Sequence, residues 1–172
     1  MRIYIPATLA MLQRLVADGS LWPVNGTAFA VTPRLREAYA EGDDDELGEV
    51  ALREAALASL RLLAITADEA PDDPLPQRRA VLVAEVADAA TVALRPDLDD
   101  AVVRISEPVS SAEVAAAFVD NAAAEPHVEA AVEVIDAADL GDEDAELTVG
   151  DAQDHDLAWY AAQELPFLLE LL

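Results

Sequence analysis

The chain has 172 residues, with ten Lys+Arg against 35 Asp+Glu for a formal charge of −25, and no cysteine. A field of that sign excludes direct DNA or RNA binding, which depends on Lys and Arg displacing counterions from phosphates, and the missing thiols exclude disulfides, cysteine nucleophiles and Cys-based zinc or iron–sulfur sites. The length suits one domain spanning 1–172, and 48 Leu, Val, Ile and Phe are enough for a folded core, although 37 alanines lower its mean residue volume.

The first residues, 2–5, read as a short strand stopped by Pro6. Thr8 is then an N-cap for a helix with Leu9, Leu12, Leu15 and Val16 on one side and Gly19 past its end. A loop over 20–26 leads to a small buried strand over 27–31. Thr32 caps the next helix with Pro33 at its first position, where a missing N–H costs nothing, and that helix ends near Gly42. Asp43 to Glu46 has capping-box spacing and places four acids at the positive end of a long helix over 44–66, in which Gly48 costs little. Residues 67–77, with three prolines and four acids, read as an exposed connection.

Dense small and branched apolar residues over 79–86, and again over 101–105, predict two covered strands. Ser110 and Glu113 form a capping box for a short turn of helix, residues 117–119 resemble a strand, and Pro126 opens a helix with Val128, Ala131, Val132 and Ile135 on one face. A last edge strand is expected at 146–149. A final helix, capped by Asp151 or Asp154, is expected to carry Leu157, Trp159, Tyr160 and Leu165, ahead of Leu168, Leu169, Leu171 and Leu172 as a terminal anchor or self-association contact. Together these elements predict an α/β or α+β domain with a mixed sheet of about five or six short strands and helices packed on it. Arg2-Ile3-x-x-Pro6 returns as Arg104-Ile105-x-x-Pro108, which would fit a weak internal duplication.

Chemistry is sparsely marked. No Walker loop, Gly-x-Gly-x-x-Gly fingerprint, zincin motif or serine elbow is present, so no cofactor, metal or catalytic residue is expected from motifs. If the strands before them were parallel neighbours, Thr8, Thr32 and Arg34, with Tyr39 nearby, would offer an anionic ligand two helix N-termini; plain capping is the simpler explanation. His127 and His155 stand 28 residues apart, too far for a pair on one helix turn. His155 has Asp151, Asp154, Asp156 and Glu164 nearby, a one-histidine carboxylate set of the sort that arises by chance among so many acids. His155 and Trp159, four apart, are expected to pack on one helix face. The acid-rich run from Asp136 to Glu146 fails the calcium-loop spacing and reads as a solvated loop.

All ten basic residues are arginine, the last being Arg104, so residues 105–172 carry 17 acids and no Lys or Arg. That asymmetry fits either a solubilising coat or a surface for a basic partner. No stretch approaches the roughly 18–20 apolar residues of a membrane span, and the opening Met1-Arg2-Ile3-Tyr4-Ile5-Pro6 lacks a signal core, so no membrane partner and a cytoplasmic setting are expected.

The opening Met-Arg-Ile-Tyr-Ile-Pro-Ala-Thr, the stretch from Thr27 to Tyr39, residues Asp136 to Leu147, and His155-Asp-Leu-Ala-Trp-Tyr-Ala-Ala-Gln-Glu164 give the chain its resemblance to an uncharacterised family of small acidic actinobacterial proteins, a domain of unknown function. The resemblance implies a bacterial cytoplasmic setting and no particular activity. Two functions remain open: an interaction or regulatory protein that meets a basic partner, and a small-molecule binder or enzyme with a site at strand ends near Thr8, Thr32 and Arg34.

Overall fold

In the computed structural model, which describes residues 1–67 and 74–172, the chain is built around a first strand, β1 (Arg2–Ala7). Its alternation sends Ile3, Ile5 and Ala7 into one core and Tyr4 into another on the opposite face. β1 pairs antiparallel with β4 (Ala80–Glu85) along its whole length, from Arg2 opposite Glu85 to Ala7 opposite Ala80. The strand runs through Pro6 instead of stopping there. Its other neighbour, β3 (Thr27–Phe29), pairs only at Tyr4, so on that side the ladder has ended before Pro6, the edge-like setting that proline tolerates.

With β5 (Val92–Leu94), β6 (Val102–Ile105), β8 (Val114–Val119) and β9 (Ala158–Ala161), these strands form a seven-stranded sheet in the order β5-β6-β3-β1-β4-β8-β9. The α/β class expected from sequence holds, but the sheet has seven strands instead of five or six and is not mixed, since every neighbouring pair is antiparallel. A separate two-stranded ribbon joins β2 (Ser20–Leu21) to β7 (Val109–Ser110).

Helices cover both faces. On one lie α1 (Leu9–Asp18) and α6 (Leu165–Glu170), which bury Leu9, Leu12, Leu15, Leu165 and Leu168 against Ile3, Ile5 and Leu82. Thr8 caps α1 by accepting from the Met11 N–H, and Gly19 ends it at φ +78°, a left-handed conformation that favours glycine. On the other face lie α2 (Pro33–Ala38) and α3 (Asp44–Thr66), which pack Leu35, Leu47, Ala51 and Ala55 onto Tyr4, Phe29, Val81 and Val83. The second half of α3 carries a helical hairpin, α4 (Glu125–Asp139) and α5 (Glu143–Gln153), through Leu60, Leu63, Val128, Ala131, Ile135, Val149 and Ala152. Ser59 ties α3 to the sheet: its buried hydroxyl donates to the Ala7 carbonyl at 2.6 Å and accepts from the Ala80 N–H at 3.0 Å.

Several expectations are corrected. The strand foreseen at 146–149 is part of α5, because Asp142 caps a helix there, accepting from the Ala145 N–H, and Ala145, Val149 and Ala152 bury one helical stripe. The final helix foreseen with Trp159 and Tyr160 is instead β9 followed by the shorter α6, since pairing with β8 overrides the four-residue spacing. Of the terminal leucines, Leu168 is buried, Leu169 and Leu172 pack partly against the core, and Leu171 is exposed. The proposed repeat does not extend to pairing: β1 and β3 are neighbours, whereas β6 and β8 are separated by three strands. The exposed connection expected over 67–77 falls mostly on residues 68–73, outside the described residues.

Candidate functional site

α3 packs against β1, β3 and β4. Beside its N-terminal half a groove of about 600 Å³ opens over the sheet. Its floor is Val83, Ala116, Phe118 and Trp159, from β4, β8 and β9; β-register places Phe118 opposite Trp159, so both rings stand on the same face. Tyr4 closes the inner end, and its hydroxyl lies so near α3 that a Cβ on Gly48 would sit 2.8 Å from it. Glycine at 48 is therefore a packing requirement in a helix that otherwise favours alanine.

The opposite wall is acidic: Asp44, Asp45 and Glu49 of α3 line the groove. Local chemistry puts them there, because Asp43 caps the helix by accepting from the Glu46 N–H at 2.9 Å and acids in the first turn face the positive end of the helix dipole. Two arginines also line the groove and both are matched: Arg2 pairs with Glu85 at 2.7 Å, a contact that raises its guanidinium pKa, and Arg36 pairs with Asp44. Asp45 and Glu49 have no ion-pair partner among the described residues. The groove thus combines an apolar aromatic floor with two carboxylates free to meet a cation. β9 is the last strand of the sheet, and Trp159 is 58% exposed on it.

The residues singled out from sequence do not form one site: Thr32 and Arg34 share a hollow and both bond Asp100, but Thr8, Tyr39, His155 and Trp159 lie elsewhere. β1 and β3 run antiparallel, so Thr8 and Thr32 leave the sheet at opposite ends, against the parallel arrangement an anion site between them required. Both hydroxyls are occupied: Thr8 caps α1, and Thr32 accepts from the Leu35 N–H while donating to the Asp100 carbonyl. Arg34 is exposed and pairs with Asp100 at 3.3 Å, beside a smaller hollow lined by Pro33, Arg95 and Val102. Tyr39 borders a shallow pocket with Glu41 and Arg53. Trp159 alone among them lines the main groove.

His155 belongs to a different corner, one that sequence spacing concealed. Arg79, just before β4, and Asp120, just after β8, are buried together with a double hydrogen bond at 2.8 Å for each contact, and Asp120 also accepts the Arg79 backbone N–H at 2.8 Å. The same guanidinium donates to the His155 carbonyl at 2.9 Å, fixing the segment between α5 and β9. There His155 Nε2 meets His127 Nδ1 of α4 at 2.6 Å, with ring centroids 4.9 Å apart. The partner of His155 is therefore the other histidine, not Trp159. The carboxylate set around His155 does not assemble: among the described residues no group of three or more His, Cys, Asp or Glu is placed to hold a metal.

Residues 125–156 hold twelve acids, of which Glu125 pairs with Arg78 and Asp139 with Arg61. Arg61 holds the Asp139 carboxyl below its ordinary range through two hydrogen bonds, at 3.0 and 2.9 Å. Burial raises the Glu54 carboxyl, with the Asp99 charge adding to it and Arg61 opposing. No helix among the described residues is long and apolar enough to cross a membrane.

Fold and groove together define an acidic α/β protein with a half-open aromatic cleft. The chain belongs to a family of unknown function, DUF6912, whose model matches residues 1–169. No curated protein and no solved structure matches it.

Proposed function

We propose that the protein is a non-enzymatic interaction protein of the bacterial cytoplasm that binds a basic polypeptide segment in the groove between α3 and β9. The observation that carries this reading is the pairing of an aromatic floor, Phe118 and Trp159, with the unmatched carboxylates Asp45 and Glu49. An extended Lys- or Arg-rich segment lying along β9 would put alternate side chains over the rings, where cation–π contact adds to ion pairing. The position of β9 suits this: it pairs with β8 on one side and ends the sheet on the other, which leaves an edge along which an extended segment can lie. The large negative charge draws such a segment in, which affects encounter rate more than final affinity.

A small cationic molecule is the second reading, supported by a groove volume within the roughly 300–1,000 Å³ usual for ligand pockets. Self-association is supported separately by exposed Phe167 and Leu171 near the leucine-rich end, and sedimentation reports it.

The test uses the Trp22→Phe protein, which leaves Trp159 as the one tryptophan, titrated with an Arg-rich peptide. A saturable fluorescence change is expected, weakening as salt rises and weakening again in Asp45→Asn/Glu49→Gln. No response at low salt, or a response indifferent to those substitutions, contradicts the reading. Titration with arginine amide separates the small-cation reading from a polypeptide one.

A further inference from the structure

The chain contains two histidines, and the fold brings both rings to one point although they lie 28 residues apart. We infer that His127 and His155 form a surface site for a late first-row divalent cation such as Zn²⁺, Ni²⁺ or Cu²⁺, with water completing the coordination. Neutral imidazole is a side chain these ions favour, and the protein has no thiolate to compete with it.

The two facing nitrogens stand 2.6 Å apart. Bound to one ion at about 2.0–2.1 Å each, two nitrogens at roughly 90–110° would stand about 2.9–3.4 Å apart. The rings meet nearly head-on, as an N–H···N bond requires, so sharing one ion means tilting each ring by roughly 35–45° while the nitrogens part by a few tenths of an ångström, a reorientation open to His127, exposed on the first turn of α4.

The supports are in place on both sides. His155 is held through its carbonyl by Arg79, itself locked to Asp120 in the interior. The start of α4 is tied down by Arg78 and Glu125 at 2.8 Å. A metal site of two ligands gains most from such preorganisation, because the chain closure between ligands is already made on folding. The surrounding field also favours a cation, since no Lys or Arg follows Arg104 in the sequence while acids crowd residues 125–156.

Without metal the two rings share a hydrogen bond, one ring nitrogen donating to the other. With metal both facing nitrogens present lone pairs to the ion.

The experiment is calorimetric titration of the intact protein with Zn²⁺ and with Ni²⁺ near neutral pH, in excess Mg²⁺ to occupy the surface carboxylates, comparing wild type with His127→Ala and His155→Ala. One saturable site is expected. Each variant should weaken it by roughly tenfold or more, since even outer-shell changes cost about 10–100-fold. Cu²⁺ EPR should show imidazole nitrogen coupling that both variants lose. Circular dichroism checks folding, and the exposed His127→Ala carries the test if His155→Ala is unfolded. Absence of a saturable site in wild type, binding that survives His127→Ala unchanged, or dependence on a single histidine in two folded variants would each overturn the inference.

Discussion

The sheet body and the α4–α5 hairpin carry acids in different ways. All ten arginines lie at or before residue 104, and in the sheet body several of them meet carboxylates: Arg2 with Glu85, Arg36 with Asp44, Arg95 with Asp97. The hairpin has no arginine of its own and borrows Arg61 and Arg78 only at its margins. It is the more densely negative region, yet its exposed apolar residues, Leu140 and Leu147, are isolated leucines without an aromatic floor. The groove is less densely acidic and better built for binding, because its two unmatched carboxylates line the same cleft as the rings. Charge density sets the long-range field; a site needs charge beside apolar surface that a partner can cover.

The seam between the two regions offers the largest effect. Asp120→Ala leaves the Arg79 charge buried without a partner and should cost about 3–5 kcal/mol in urea unfolding, a removal penalty and not the worth of the pair. A change below about 1 kcal/mol would mean that the corner does not join hairpin and sheet. Next is the groove wall. Gly48→Ala forces a contact with the Tyr4 hydroxyl and should destabilise by about 1–3 kcal/mol, partly offset by a gain in helix propensity of up to about 1 kcal/mol. Tyr4→Phe in the same chain should restore most of the loss; failure to do so would point to strain elsewhere in α3.

The smallest effect lies at the hairpin's margin. Asp139→Asn should cost about 0.2–1 kcal/mol, as exposed ion pairs do. Because Arg61 depresses the Asp139 pKa below its ordinary value of 3.8, that stability is complete above this value and is lost as pH falls through the lower folded one. Wild type and Asp139→Asn should therefore converge in strongly acidic denaturation curves. A difference that persists there would assign the effect to packing.

Sequence reading succeeded where the determinants are local. The caps Thr8, Thr32 and Asp43 and the helix 44–66 are written in side chains that bond their own first turns. It failed where a distant strand decides. Trp159 and Tyr160 fit a helix face until β8 supplies a ladder, and β5 is three residues with too little alternation to read. The short run 146–149 looked like a strand because its helical stripe is completed by Ala145 and Ala152 outside it. Of the candidate site, Trp159 was visible as an aromatic of interest. Its partners Tyr4, Gly48 and Phe118 were not, since only sheet register and the placement of α3 bring them together. The histidine pair was hidden for the same reason: its two members sit on elements whose contact depends on Arg79 and Asp120.

The most direct measurement is a ¹H–¹⁵N correlation spectrum of the protein during addition of an unlabelled Arg-rich peptide. The expected result is a saturable shift of the Trp159 indole N–H and of the β8 and β9 amides, with the α4–α5 amides little changed. Shifts confined to the acidic hairpin, with Trp159 unmoved, would contradict the groove as the place where this protein meets a basic partner.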